Sequence, residues 1–213
     1  MNNKIAETDA RRALGTYQSL RRLVLAILII AMFAALLFGE AVYPPETFVH
    51  ESVEMIGVLM IFLGIIGRLW STLYIGGRKS HEVVTGGPYS ITRNPLYVFS
   101  TLAAAGVGAQ MGSIVATVGF GLLCALAFHI VILREERFLS AELGAPYRDY
   151  LARVPRFIPK LSLYEEGDTG SFRPRLLLNT LLDGLVFLIA MPIFELIENA
   201  QGSGALPILF RLP

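Results

Sequence analysis

The feature that most constrains this chain is a series of apolar runs of membrane length. Residues 23–41, 53–73, 113–133 and 176–197 are each almost free of charge, and residues 96–109 form a shorter run of the same kind. A hydrocarbon layer roughly 30 Å thick takes about 20 apolar residues to cross, because a helix rises about 1.5 Å per residue. Backbone groups inside lipid have no water to bond, so runs of this kind must be helices. Composition agrees, with 54% hydrophobic and 16% charged residues, whereas a soluble domain carries about 25% charged residues. The expected class is therefore an all-α integral membrane protein with about five transmembrane helices.

The first run, residues 23–41, is too long for a signal-peptide core. No small-residue cleavage site follows it before Tyr43-Pro44-Pro45, so it reads as a permanent span. Residues 96–109 and 113–133 are divided only by Gln110-Met111-Gly112 and read as a tight helical hairpin. The run 176–197 contains Asp183, Pro192 and Glu195. It is expected to span, with an interfacial or re-entrant helix as the alternative.

Basic residues set the expected orientation. Lys4, Arg11, Arg12, Arg21 and Arg22 precede the first span, and none lies between the first and second. Arg78, Lys79 and Arg93 follow the second span, and a group from Arg134 to Arg175 follows the fourth. The positive-inside rule then puts the N-terminus in the cytoplasm and the C-terminus outside. Residues 74–95 and 134–175 become cytoplasmic segments that the hairpin brings together. Residues 161–172 read as a flexible loop between the core, residues 74–160, and the C-terminal helix.

Several features have structural readings. Gly57, Gly64, Gly67, Gly106 and Gly108 suit close helix packing, and Arg68 suits a cation reaching for the membrane surface. The lone Cys124 is a small buried hydrophobe. The spacing of His50, His81 and His129 suggests no metal site. Net charge is +1, and no basic patch with interleaved aromatics points to nucleic acid.

Two polar segments carry chemistry. The first reads G-P-Y-x-x-x-R-N-P-x-Y over residues 87–97, preceded by His81. Gly86-Gly87-Pro88 is a turn, Asn94 a suitable N-cap and Pro95 a suitable first helical residue. The second reads E-E-x-x-L-x-x-x-x-G-x-x-Y-x-x-Y-x-x-x-V-P-R-F-I-P over residues 135–159. Adjacent carboxylates at a helix C-terminus oppose the helix dipole, which favours a cationic partner for them.

In this order, across a hairpin, the two segments resemble the isoprenylcysteine carboxyl methyltransferase family and its bacterial members, with phospholipid N-methyltransferases as more distant kin. The resemblance covers residues 81–160. It departs at Asn94, where the eukaryotic enzymes carry histidine, and it does not reach the run after residue 175. It implies S-adenosyl-L-methionine as cofactor, bound on the cytoplasmic side between the two segments, in a bacterial inner membrane. By this resemblance His81, Gly87, Pro88, Tyr89, Pro95, Glu135, Glu136, Tyr147, Tyr150 and Arg156 would bind the cofactor. Arg93, Tyr97 and Glu136 would serve the reaction.

The implied acceptor is a lipid-linked or amphipathic small molecule reached through membrane lipid, with no metal and no nucleic acid involved. A carboxylate acceptor is already ionised at neutral pH and needs no base. Arg93 is the expected carboxylate ligand, the glutamates the expected ligands of the cofactor's ammonium, and Tyr89 and Tyr97 the rings facing its sulfonium. An amine headgroup is the alternative acceptor. A membrane reductase would need a longer chain, and a non-catalytic interaction protein would not need the paired polar groups. Oligomeric state is left open by the sequence.

Overall fold

The computed structural model describes residues 34, 37–76, 82–167 and 173–213. The N-terminal segment, nearly all of the first expected span, and His81 lie outside the described residues. A short strand, β1 (Gly39–Ala41), precedes a 28-residue helix, α1 (Phe48–Ile75). Thr47 caps α1, its side chain accepting from His50 N at 3.4 Å. A single-turn helix, α2 (Pro88–Ile91), then leads into α3 (Pro95–Ala109). A turn at Gly112, with φ +63°, returns the chain into the 30-residue α4 (Ile114–Leu143). The short helix α5 (Ala145–Arg153) follows.

The C-terminal part is α6 (Pro174–Leu185), a 3-10 segment (Val186–Ile189) and α7 (Ala190–Gly202). Pro192 has no N–H to return to the carbonyl four residues back, which accounts for the tightened segment just before it. The three pieces form one continuous stretch, Pro174–Gly202, of 29 residues. Strand β2 (Phe210–Leu212) closes the chain by pairing in parallel with β1.

Among the described residues, α1, α4 and Pro174–Gly202 are long and apolar enough to cross a membrane. The shorter α3 has 15 residues and packs between α1 and α4. Small residues explain how closely it sits. A Cβ on Gly64 would lie 2.7 Å from the Cβ of Ala103, and one on Gly106 would lie 2.5 Å from the carbonyl of Gly57. Outward faces keep large apolar side chains exposed, among them Met55, Leu59 and Ile66 on α1 and Leu122 and Leu126 on α4. Lipid is the solvent for such faces.

Four expectations change. Gly39–Ala41, the end of the first apolar run, is strand rather than helix, so a two-stranded sheet accompanies the helices. The helix carrying the hairpin's return arm continues to Leu143, so Glu135 and Glu136 lie within α4, not at its end. Asn94 sits at the N-cap of α3 without a capping hydrogen bond; its amide donates instead to Arg156 O at 2.9 Å. In the expected flexible loop, Glu165 folds back on α2. Gly87 N donates to Glu165 O at 2.8 Å, and Glu165 N donates to Ser90 Oγ at 3.0 Å.

The hairpin brings the two polar segments together as expected. Arg93 N donates to Pro155 O, and Lys160 N donates to Ile91 O, each at 2.9 Å. At the other end, Ser113 Oγ donates to Pro213 O at 2.8 Å. Single cysteines at Glu46 and at Glu142 should react with a membrane-impermeant thiol reagent from opposite sides of the membrane. Labelling of both from one side would contradict this arrangement.

Candidate active site

The site is organised around the side chain of Glu136, which is 7% exposed. Its Oε1 accepts from Arg93 Nη1 at 3.0 Å. Its Oε2 accepts from Arg156 Nε at 3.0 Å and lies 2.9 Å from Arg156 Nη2. Arg93 also donates through Nε to the carbonyl of Val154. One buried carboxylate thus ties α4 to the entrance of α3 and to the segment after α5. An unmatched charge at this depth would be expensive, and two guanidinium groups match it.

The adjacent Glu135 points elsewhere. It accepts from Tyr97 OH at 2.8 Å and lines a cavity of about 280 Å³. Ligand sites usually begin at roughly 300 Å³, so this is a cavity of small-molecule scale. Tyr89, Arg93, Pro95, Tyr97, Tyr147 and Tyr150 line it with Glu135. Leu96, Phe128, Leu139 and Leu143 give it an apolar wall. Pro88 is fully buried, and neither it nor Glu136 nor Arg156 lines the cavity.

Gly87 is required by geometry. Its φ is +58°, and a Cβ there would lie 2.4–2.7 Å from ring atoms of Tyr74. This lets α2 start tightly and places Tyr89 inside. Tyr150 OH donates to Tyr89 O at 2.8 Å, which fixes α5 on α2. The hydroxyl of Tyr89 is itself buried without a hydrogen-bond partner, an orphan that a polar ligand atom would satisfy.

Burial pushes the phenol of Tyr147 up to about 12, with Glu136 and then Glu135 adding to the shift against the opposing pull of Arg93 and Arg156. Burial, followed by Tyr147, raises Tyr150 in the same direction. Burial raises Tyr89 too, followed by Tyr150, Glu135 and Tyr97. All three phenols therefore stay neutral at physiological pH. The stability that the raised Tyr147 contributes is present below pH 10, its ordinary value, and is lost as pH rises towards about 12.

Sequence reasoning missed one lining residue of consequence. Arg68, read as a membrane-surface cation, lines the cavity and donates to Ser100 Oγ. Its Nε is buried without a partner. Its depth in an apolar helix was the available signal, since an ionisable group within a span usually faces a functional interior.

A polytopic membrane protein with a polar, tyrosine-lined cavity between two such segments belongs to a recognisable class. The family model described as "Phospholipid methyltransferase" matches residues 53–145. The chain is 35% identical over 202 residues to the cobalt-zinc-cadmium resistance protein CzcN of Cupriavidus metallidurans, covering 94% of this chain and 93% of that one. It is 34% identical over 197 residues to the nickel-cobalt-cadmium resistance protein NccN of Alcaligenes xylosoxydans xylosoxydans, covering 90% and 87%. It is 28% identical over 131 residues to the protein-S-isoprenylcysteine O-methyltransferase B of Arabidopsis thaliana, covering 57% and 66%. No solved structure matches the chain. The chain belongs to the phospholipid and isoprenylcysteine methyltransferase family of membrane proteins.

The adjacent glutamates should separate by experiment. Glu136→Gln should lower thermal stability by about 2–3 kcal/mol, the scale of charge-assisted hydrogen bonds lost from a buried group. Glu135→Gln, whose amide oxygen can still accept from Tyr97, should lower it less. Equal unfolding temperatures for the two variants, measured in one detergent, would refute the structural role of Glu136.

Proposed function

We propose that this protein is an S-adenosylmethionine-dependent methyltransferase acting on a carboxylate of a lipid-linked or amphipathic acceptor. The observation that carries the reading is the cavity, which joins a carboxylate, a tyrosine lining and a half-buried guanidinium to an apolar wall. Bound S-adenosylmethionine would supply a methyl group already activated on a sulfonium.

The chain's own residues fit that cofactor. Glu135 is the proposed ligand for its α-ammonium, held in place by Tyr97. The rings of Tyr89, Tyr97, Tyr147 and Tyr150 would favour a sulfonium over water. The orphaned hydroxyl of Tyr89 would meet a polar atom of the bound ligand. Gly87, Pro88 and Pro95 would shape the cavity and Arg156 would hold Glu136.

The acceptor's carboxylate is assigned chiefly to Arg68. Arg93 was the expectation from sequence, yet two of its three nitrogens are engaged by Val154 and Glu136. Arg93 is proposed to position the cavity wall and to offer its remaining nitrogen. The buried Nε of Arg68 lacks a hydrogen-bond partner and offers a donor to an acceptor's oxygen. No base is needed for an ionised carboxylate, so the residues orient the acceptor and exclude water. The apolar wall would take the acceptor's hydrocarbon tail.

The positive-inside rule supports placing this end in the cytoplasm of a bacterial inner membrane, with residue 142 on the inner side. The two bacterial relatives are named for metal resistance, which describes a setting rather than a reaction. A second reading, N-methylation of an amine headgroup, is favoured by the description of the matching family model. There Arg68 would hold phosphate and Glu135 would have to accept a proton.

Membranes containing the protein, supplied with methyl-labelled S-adenosylmethionine, separate these readings. Carboxyl methylation should give lipid-soluble label released as methanol by mild base, at a rate flat across neutral pH. Arg68→Leu should reduce it by about 100-fold or more, the cost of a charged hydrogen-bonding partner. Base-stable label whose formation climbs with pH would replace the ester reading with the amine one. No transfer to any lipid fraction would overturn both.

A further inference from the structure

Far from the cavity, at the opening of α1, an imidazole is held against two carboxylates. His50 is 3% exposed. Its Nδ1 lies 3.0 Å from the carbonyl oxygen of Tyr43. A carbonyl only accepts, so Nδ1 carries the hydrogen of that bond and the ring's other nitrogen is directed elsewhere. Nε2 lies 3.4 Å from Glu54 Oε1 and 3.4 Å from Glu198 Oε1. It is buried and makes a hydrogen bond to neither. The three ligand atoms all lie within 4.8 Å of one another.

A neutral imidazole would direct its lone pair at two anions, so a cation, either a proton or a metal ion, has to lie between Nε2 and the two carboxylates. We propose that His50, Glu54 and Glu198 bind a divalent transition-metal ion of the zinc class, separate from the cavity around Glu135. Bonds of about 2.1 Å in tetrahedral geometry separate neighbouring ligand atoms by about 3.4 Å, the spacing seen here from Nε2 to each carboxylate. The contact of Nδ1 with a backbone carbonyl is the usual outer support of a metal-binding histidine. One imidazole and two carboxylates, without thiolate, suit zinc or cobalt rather than copper(I) or magnesium.

The fold prepares the ring and leaves a way in. Gly112, at φ +63°, packs against it, and a Cβ there would lie 2.2 Å from Nδ1. The carboxylates of Glu54 and Glu198 are 36% and 33% exposed. His50 and Glu198 border a second cavity of about 210 Å³, so an ion can arrive without unfolding. Histidine spacing could not reveal this group, because Glu198 comes from the far end of the chain.

The test uses the full-length protein purified in detergent and freed of metal with a chelator. Cobalt(II) should bind saturably in one equivalent at neutral pH with a visible d–d spectrum, and zinc, but not magnesium, should displace it. Zinc should also raise the unfolding temperature. His50→Ala, Glu54→Gln and Glu198→Gln should each weaken binding by about 10- to 100-fold, with unfolding in the absence of metal little changed in the two Gln variants. Should His50→Ala not fold, the two Gln variants decide the matter alone. Absence of saturable binding, as expected if a proton simply bridges the group, would overturn the proposal. Binding undiminished in the folded variants would overturn it equally. Neither readout depends on methyl transfer.

Discussion

A carboxylate kept from water within a long, largely apolar helix persists only where its charge is answered. Glu136 meets this constraint with two arginines from different parts of the chain, Arg93 before α3 and Arg156 after α5. Everything at this end depends on the arrangement. It sets the segment 154–157 against the segment 92–94, where Thr92, Arg93 and Asn94 make further bonds to the backbone of Val154, Arg156 and Phe157. With those segments fixed, Tyr147 and Tyr150 are turned towards Tyr89 and Tyr97, and a cavity exists between them. Adjacent glutamates thus divide the work, one holding the architecture and its neighbour facing the cavity.

The hairpin α3–α4 makes this possible in a membrane. Polar groups widely separated along the chain cannot meet inside lipid unless the spans return them to one end. The short α3 packs closely because Gly64 and Gly106 remove the side chains that would keep α1 away. Close packing here is therefore a condition for the cavity above it. The opposite end is built separately, by the β1–β2 pair, the turn at Gly112 and the ends of α1 and α7. This division gives the chain two separate polar ends, one around Glu136 and one around His50.

Much of this was legible in the sequence because lipid leaves few choices. Uninterrupted apolar length predicts helices, the Gln110-Met111-Gly112 break predicts the hairpin, and the hairpin predicts that residues 87–97 meet residues 135–159. What escaped was set by tertiary contacts. Nothing local says that Asn94 would bond across to Arg156 rather than cap its helix, or that Glu136 would be buried while Glu135 faces the cavity. Residues 39–41 read as span because their apolar neighbours continue into them, yet the β2 strand at the far end of the chain captures them. Arg68 looked like a surface anchor because its position was visible while its direction was not.

The most direct measurement is amide hydrogen exchange with and without S-adenosylhomocysteine. If one cavity between two clamped segments holds the cofactor, ligand should slow exchange together in residues 87–97 and 135–157. The effect should vanish in Glu136→Gln, while exchange around His50 stays unchanged. Protection confined to one segment, or protection undiminished in Glu136→Gln, would contradict a site assembled across that buried carboxylate.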